Sequence, residues 1–523
     1  MIKRESGNIN MNNNFQTLEK PPYLMIAVLF VGAFVAFLNN TLLNVALPTI
    51  MVDLDVTYAT VQWLATGYML VSGVLIPASA FLITRFKTRP LFIFAMSVFV
   101  LGTLVAAIAP SFGVLLTGRM IQAVGSSVMA PILMNVMLIS FPVEKRGAAM
   151  GMFGLVMIAA PAIGPTLSGW IVEHYDWRVL FEMILPIAVI SLLFSIWKLE
   201  NVLPNRKVTL DYFSLVLSTV GFGGILYGFS TAGNDGWTDP IVLTTIIVGV
   251  IGVALFVLRQ LKIETPVLSM EIFKSPLFAL SSIISAVLSM AMMGGMILTP
   301  AYVQNVRGIE PFESGLMMLP GAIVMALMSP ITGRLFDKVG PRILAVTGLI
   351  ITSISTYFLH KLEIDSTYLF IISIYTIRMV GISMVMMPIM TNGLNSLPAR
   401  LNPHGTASNN TIQQVAGSIG TALLIAIMNA RTTATGEDLA AQAQANATGP
   451  MTEEQIATMK AQITQQALLE GIQFSFLIAT GITIVALVLS FFLRRATSPD
   501  NAPKTDAPQN NSKGAPAPAT LNK

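Results

Sequence analysis

The sequence predicts an all-α polytopic membrane protein with fourteen transmembrane helices, arranged as two pseudo-symmetric six-helix bundles plus two inserted helices. Three observations lead there. Lys and Arg (30) with Asp and Glu (26) make up only 11% of the 523 residues, while 54% are apolar. A soluble chain carries about 25% charged residues, which it needs to cover its domains. The chain also divides into fourteen apolar runs, each near the ~20 residues that cross a bilayer. Finally, short motifs recur at a nearly constant offset, so that the first six runs and the last six follow one plan.

The chain opens with a polar stretch, residues 1–22, carrying Lys3, Arg4 and Lys20. It lacks a small-residue cleavage site and reads as a cytoplasmic segment, not a signal peptide. The runs follow at 23–48, 60–83, 90–109, 113–138, 148–171 and 179–198, then 211–231 and 240–259, then 276–304, 312–332, 342–361, 366–390, 408–430 and 471–493. An even number of spans puts both termini on one side. With that side cytoplasmic, 23 basic residues fall in cytoplasmic segments. Five (Arg178, Arg307, Lys361, Arg431, Lys460) fall outside, and two (Arg119, Arg378) lie within runs. This is the asymmetry that the positive-inside rule requires, and a miscounted central helix would scramble it. The net charge of +4 is therefore a membrane feature and no sign of nucleic acid. Residues 431–470 form a long polar outer segment, read as a solvated extracellular loop in which Thr452 and Gln455 fit the capping box of a short helix. Residues 496–523 are Pro, Ala, Asn and Lys with few large apolar side chains, and read as a disordered cytoplasmic tail.

The repeats define the halves. Pro131 and Asn135 in the fourth run match Pro388 and Asn392 in the twelfth, at an offset of 257. Ala162-Ile163-Gly164 matches Ser418-Ile419-Gly420, Arg119 matches Arg378, and the basic loop at Arg85 matches that at Lys338. Each pair maps run n onto run n+8. The expected domains are thus an N-terminal bundle at 23–205, inserted helices at 206–265 and a C-terminal bundle at 266–495. Parallel six-helix halves related about the membrane normal are a transporter architecture, with substrate held near the midplane between them.

The motifs then resemble the major facilitator superfamily, and within it the fourteen-helix drug:proton antiporters of the EmrB/QacA type, over roughly residues 24–494. The fifth run carries Ala160-Pro161-Ala162-Ile163-Gly164-Pro165-Thr166-Leu167-Ser168-Gly169, similar to the antiporter motif G-x-x-x-G-P-x-x-G-G. Gly333-Arg334-Leu335-Phe336-Asp337-Lys338-Val339-Gly340-Pro341-Arg342 is close to the loop motif G-x-L-A-D-R-x-G-R-K. Its first copy, Ala80 to Arg89, has Thr84 for the acid and Lys87 for the glycine. In the family this loop latches the halves on the cytoplasmic side, so the resemblance implies gating roles for Arg85, Arg89, Gly164, Pro165, Gly333, Asp337, Lys338, Gly340 and Arg342, with the first latch weaker or differently made. The first run, Leu38 to Pro48, resembles L-D-x-T-x-V-N-V-A-L-P, but Asn39 and Asn40 stand where relatives often carry an acid.

An arginine near the bilayer centre costs ~2.5–3.5 kcal/mol on insertion scales and is a functional candidate by default. Arg119 lies six residues, ~9 Å at 1.5 Å per residue, below the outer end of its run. With Gln122, and with Ala123 in place of the glycine, it resembles the family's R-x-x-Q-G motif, a resemblance that implies proton coupling. Acids are scarce: Glu182 is the one clearly within a run, with a depth that would let it approach Arg119, Asn39 and Asn40. Glu313 opens the tenth run. Glu182, Arg119 and Glu313 are the proton-coupling candidates. Asn39, Asn40, Asn44, Gln122, Asn135, Arg378, Met292 and Met293 are the substrate-cavity candidates, the methionines as part of a stripe of Met290, Met292, Met293, Met296, Met317, Met318, Met325, Met328, Met384, Met386 and Met387 on the ninth, tenth and twelfth runs. Unbranched thioethers suit a cavity that accepts many apolar shapes.

The expected function is proton-coupled export of amphipathic small organic molecules by alternating access, by a bacterial plasma-membrane protein acting as a monomer. The scarcity of buried acid favours neutral or modestly charged substrates over dications. No cofactor is expected and the proton motive force supplies the energy. There is no phosphate-binding loop for ATP, no cysteine, and His174, His360 and His404 lack metal-ligand spacing. Two alternatives stay open: export or flipping of an endogenous lipid or metabolite on the same fold, and a non-transporting sensor or scaffold.

Overall fold

The computed structural model describes residues 21–206, 208–446 and 452–497. Residues 1–20 and 498–523, most of the predicted terminal segments, lie outside the described residues, as does the side chain of Asn44. The helices are α1 (Tyr23–Asp53), α2 (Tyr58–Val61), α3 (Trp63–Arg85), α4 (Thr88–Ala107), α5 (Phe112–Ser140), α6 (Arg146–His174), α7 (Val179–Lys198), α8 (Tyr212–Asp235), α9 (Pro240–Gln260), α10 (Pro276–Ala301), α11 (Pro311–Val339), α12 (Pro341–Leu359), α13 (Tyr368–Asn395), α14 (Asn402–Asn446) and α15 (Glu453–Ser490). Fourteen are long and apolar enough to cross a membrane, and among the described residues there is no strand. The short α2 shifts the count by one, so that runs two to fourteen become α3 to α15.

Helix is forced on the runs because a bilayer offers no partner for free backbone polar groups. The same economy tolerates the internal Pro131, Pro161, Pro165 and Pro388. Polar caps set some of the ends. Asp239 Oδ1 accepts from the Ile241 and Val242 amides ahead of α9, and the Ser275 hydroxyl accepts from Phe278 N ahead of α10. Between α11 and α12, Gly340 has φ +84°, a value that L side chains resist, and Pro341 follows as the first residue of the next helix.

In the first bundle α5 packs on α1, α3 and α4, while α6 and α7 pack on α1. In the second α13 packs on α10, α11 and α12, and α15 packs on α10, α12 and α14. The bundles meet along two seams, α6 against α11 and α3 against α14. These exchange under the repeat, since α3 corresponds to α11 and α6 to α14. Helices α8 and α9 form a hairpin whose α8 leans on α3 and α14.

The reading of 431–470 needs correction. Among the described residues there is no separate short helix, and nearly all of the segment belongs to two long ones. Helix α14 runs on for 45 residues, ~68 Å at 1.5 Å per residue against a ~30 Å hydrocarbon core. The Thr452–Gln455 capping box is real, but it starts the 38-residue α15. The segment is therefore the tip of a helical hairpin on the face opposite the termini. Its base is clasped by Glu470, which accepts from Thr435 Oγ1 (3.1 Å) and pairs with Arg431 (3.5 Å).

Candidate functional site

Two buried polar clusters and one polar seam carry the charge in the interior. In the first bundle Arg119 is fully buried. Its Nη1 donates to Gln122 Oε1 (3.0 Å), and its guanidinium lies 4.3 Å from the centre of the Tyr68 ring. Gln122 also donates to Thr103 Oγ1 (2.8 Å) and accepts from Asn39 Nδ2 (3.1 Å), while Tyr68 donates to Ser126 Oγ (2.6 Å). Helices α1, α3, α4 and α5 thus converge on one guanidinium, and Arg119 Nε and Nη2 keep unused donors. In the second bundle Arg378 is equally buried, donating to Thr356 Oγ1 (3.2 Å) and the Ala291 carbonyl (3.0 Å), with Nη1 unused. A Cβ on Gly295 would run into that guanidinium, so only glycine leaves room for it.

Among the described residues no carboxylate bonds either arginine. Glu182, expected to approach Arg119, is exposed on α7. The α7 residues that turn inward are Leu180, Phe181 and Ile184, and helical geometry points position 182 away from them. Nor does it pair with Arg178, whose guanidinium bonds Asp53 (3.1 Å) and Asp176 (3.2 Å). Glu313 is exposed in the first turn of α11, where a carboxylate meets the helix N-terminus.

Of the cavity candidates, Asn39 and Gln122 join the Arg119 cluster, and Asn40 is half-buried with no side-chain hydrogen bond among the described residues. Asn135 does not face a cavity: it is fully buried near the terminal end of α5 and donates to Thr406 Oγ1 of α14 (2.9 Å), across a seam. Arg378 too is sealed inside its bundle. The methionines disperse. Met292, Met318 and Met386 pack around Met325, Tyr375, Met379 and Ile382, with Ile158 of α6 from the other bundle. Met293 touches Gly417, Met317 belongs to a separate cluster and Met296 is exposed.

The seam on the side of the termini is polar and tight. The two Asp337 oxygens accept the Gly147 and Ala148 amides, 2.9 Å each, at the start of α6. A carboxylate against a helix N-terminus satisfies orphan donors and the dipole together. Backbones nearly touch beside it: a Cβ on Gly147 would meet the Gly333 carbonyl at 2.5 Å, and one on Gly333 would meet the Gly147 carbonyl closer still. Arg146 Nη1 donates to Asn395 Oδ1 (3.1 Å), and Ser329 Oγ to the Gly151 carbonyl (2.8 Å). At the related seam Thr84, in the position of Asp337, turns back onto the Ala80 carbonyl of its own helix (2.7 Å). There a cavity of about 290 Å³ opens, lined by Thr84, Arg206, Glu264, Arg400 and His404 among others.

The other expected gating residues divide. Arg89 ties α4 to α7 within one bundle, donating to the Ile196 carbonyl (2.6 Å), and Arg85 has no partner among the described residues, so neither latches the halves. Lys338 and Arg342 are exposed and unpaired among the described residues, whereas Gly340 makes the turn. In α6, Gly164 seats Thr41 of α1, with room for no Cβ, one residue before Pro165; Ser168 Oγ donates to the Leu42 carbonyl (2.5 Å). The small residues of that motif hold α6 to α1 within the first bundle. Sequence reasoning missed Tyr68, Thr103, Arg146, Thr356 and Asn395. Only Arg146 carried a signal, as a charge beside an apolar run.

The profile of the Major Facilitator Superfamily matches residues 29–421. The chain belongs to that superfamily. It is 53% identical over 414 residues to YhcA, an MFS-type transporter of Bacillus subtilis, covering 79% of this chain and 78% of that one. It is 44% identical over 475 residues to the lincomycin resistance protein LmrB of Listeria innocua, covering 91% and 97%. The human organic anion transporter MFSD10 has the same fold, with a TM-score of 0.62 at 12% identity, covering 90% of this chain and all of the other. As a member of the superfamily the protein is a multi-pass membrane transporter and not an enzyme, and its relatives include bacterial antibiotic-resistance proteins.

Proposed function

We propose that the protein exports amphipathic small organic molecules by alternating access, driven by inward proton flow, with both termini in the cytoplasm. The observation that carries this reading is the Asp337 latch. It joins the two bundles on the terminal side through a carboxylate and two amides, contacts that break and reform without unpacking either core. The state described is then the one closed to the cytoplasm.

Glu182 and Glu313 are exposed at helix ends on the outer side, where a carboxyl exchanges protons with outside water. A methionine-rich patch around Met325 touches Ile158 of the other bundle and is the face a substrate would meet, while both guanidiniums are sealed inside their bundles and, among the described residues, no carboxylate bonds either. That supports neutral or modestly charged substrates over dications. Relatives named for lincomycin resistance make lincomycin the first compound to test.

In inverted vesicles acidified inside, lincomycin or a neutral amphiphile should accumulate, and collapsing the pH gradient should stop it. Uptake of a dication with neutral amphiphiles ignored would overturn the substrate reading. Uptake indifferent to the gradient would overturn the antiport. Proton release on substrate addition to purified protein, compared between wild type, Glu182→Gln and Glu313→Gln, shows which acid takes part.

A further inference from the structure

We propose that residues Leu493–Ala496, just beyond α15, are a strap that positions the Asp337 latch, and that Asn392 and Arg495 are its fastening residues. The repeated Pro-x-x-x-Asn motif prompts the question, because its two asparagines do different work. Asn135 reaches across a seam to Thr406. Asn392, its counterpart 257 residues on, stays within its own bundle and spends both ends of its amide on the departing chain. Its Nδ2 donates to the Arg494 carbonyl (3.0 Å), and its Oδ1 accepts from Ala496 N (2.9 Å).

That two-point grip holds the segment against α13. Leu493 is buried in the core with Ile284, Leu349, Val385 and Ile389. From this anchored segment Arg495 donates through Nη2 to the backbone carbonyl of Asp337 (2.7 Å). The residue whose carboxylate closes the seam is thus held by its own carbonyl from the other side. Every strap contact named here is to the second bundle. The strap therefore does not bridge the seam; it sets where the last turn of α11 presents Asp337 to the α6 N-terminus. A carboxylate satisfying two amides at 2.9 Å depends on sub-ångström placement, so loosening the strap should weaken the latch without touching it.

The inference rests on the latch reading above, and one experiment separates the two. The chain has no cysteine, so Glu144→Cys and Val339→Cys, each exposed, place spin labels on either side of the seam. A second pair at Ile354 and Leu369, exposed within the second bundle, reports general loosening. Full-length chain and a chain ending at Thr497 should give one short seam distance. A chain ending at Leu493, Asn392→Ala and Arg495→Ala should each add a longer one, with the open-to-closed ratio raised roughly fivefold for a single lost hydrogen bond of ordinary strength, and with the second pair unchanged. If these three keep the wild-type seam distance while Asp337→Asn opens it, the strap proposal is wrong and the latch stands. If Asp337→Asn leaves the seam closed as well, both fail. Should the truncation not fold, Asn392→Ala and Arg495→Ala decide.

Discussion

Charge in this protein is placed residue by residue against the cost of burial. Arg119 and Arg378 are both fully buried, and each is met by neutral acceptors: an amide and a ring face for one, a hydroxyl and a carbonyl for the other. Gln122 is the centre of the first cluster because it accepts from both Arg119 and Asn39. Gln122→Leu keeps the volume but strands the guanidinium, a loss of about 1.5–3 kcal/mol for a hydrogen bond to a charged group. It should lower the melting temperature in detergent and the transport rate together, whereas Asn40→Ala, with no side-chain hydrogen bond among the described residues to lose, should leave the melting temperature unchanged. At the seam, Gly147→Val puts a side chain where a carbonyl lies 2.5 Å away. Overpacking of that kind costs about 1–3 kcal/mol, here against the closed state, and single-cysteine accessibility on the terminal side should rise. Arg119, Arg378 and Asp337 were legible from the sequence, as a buried charge, its repeat and a nearly intact motif. Glu182 misled because depth along a helix says nothing of azimuth: one residue away, Phe181 faces the core.

At the scale of elements, the inserted hairpin α8–α9 is held by a pair that the sequence did not reveal. Asp211, placed at the start of its helix, takes Arg259 Nε at 2.6 Å, and that bond holds its carboxyl down to about 2, below the ordinary 3.8. A folded-state pKa below the unfolded value contributes stability that is fully present above pH 3.8 and is lost as pH falls through about 2. Amide protection in α8 and α9, relative to the intrinsic exchange rate at each pH, should therefore fall between about pH 4 and about pH 2, and Asp211→Asn should be poorly protected throughout that range. Both side chains are partly exposed, so the effect should shrink in high salt. The outer hairpin makes the opposite case. Above the Glu470 clasp the first turns of α15 are exposed, so replacing residues 437–464 with a short Gly-rich turn should leave the melting temperature within a few degrees. A large drop would show that the hairpin braces the bundles. Composition made this segment read as loop: Ala, Thr, Gln and Glu offer no apolar stripe, and only their helix propensity pointed the other way.

For the whole molecule, the fourteen spans, the shared side of the termini and the two equivalent halves followed from composition, run length and repetition. Each is a one-dimensional property: hydrocarbon thickness fixes run length, and an even count puts both ends on one side. Labelling single cysteines near residues 20 and 497 in intact cells should find both protected from membrane-impermeant reagent until the cells are opened. Labelling of either in intact cells would invert the proposed topology. The tertiary structure decided what no linear reading holds, namely which face of each helix meets which neighbour. It moved Asn135 from a cavity to a seam, scattered the methionine stripe over several clusters and left Glu182 outside the arginine cluster. It also showed that the two halves, alike in sequence plan, close differently: Asp337 reaches the other bundle, while Thr84 bonds its own helix beside an open cavity. The physical reason is that a repeat preserves backbone course, whereas a latch depends on one side chain having the charge and length to reach two amides.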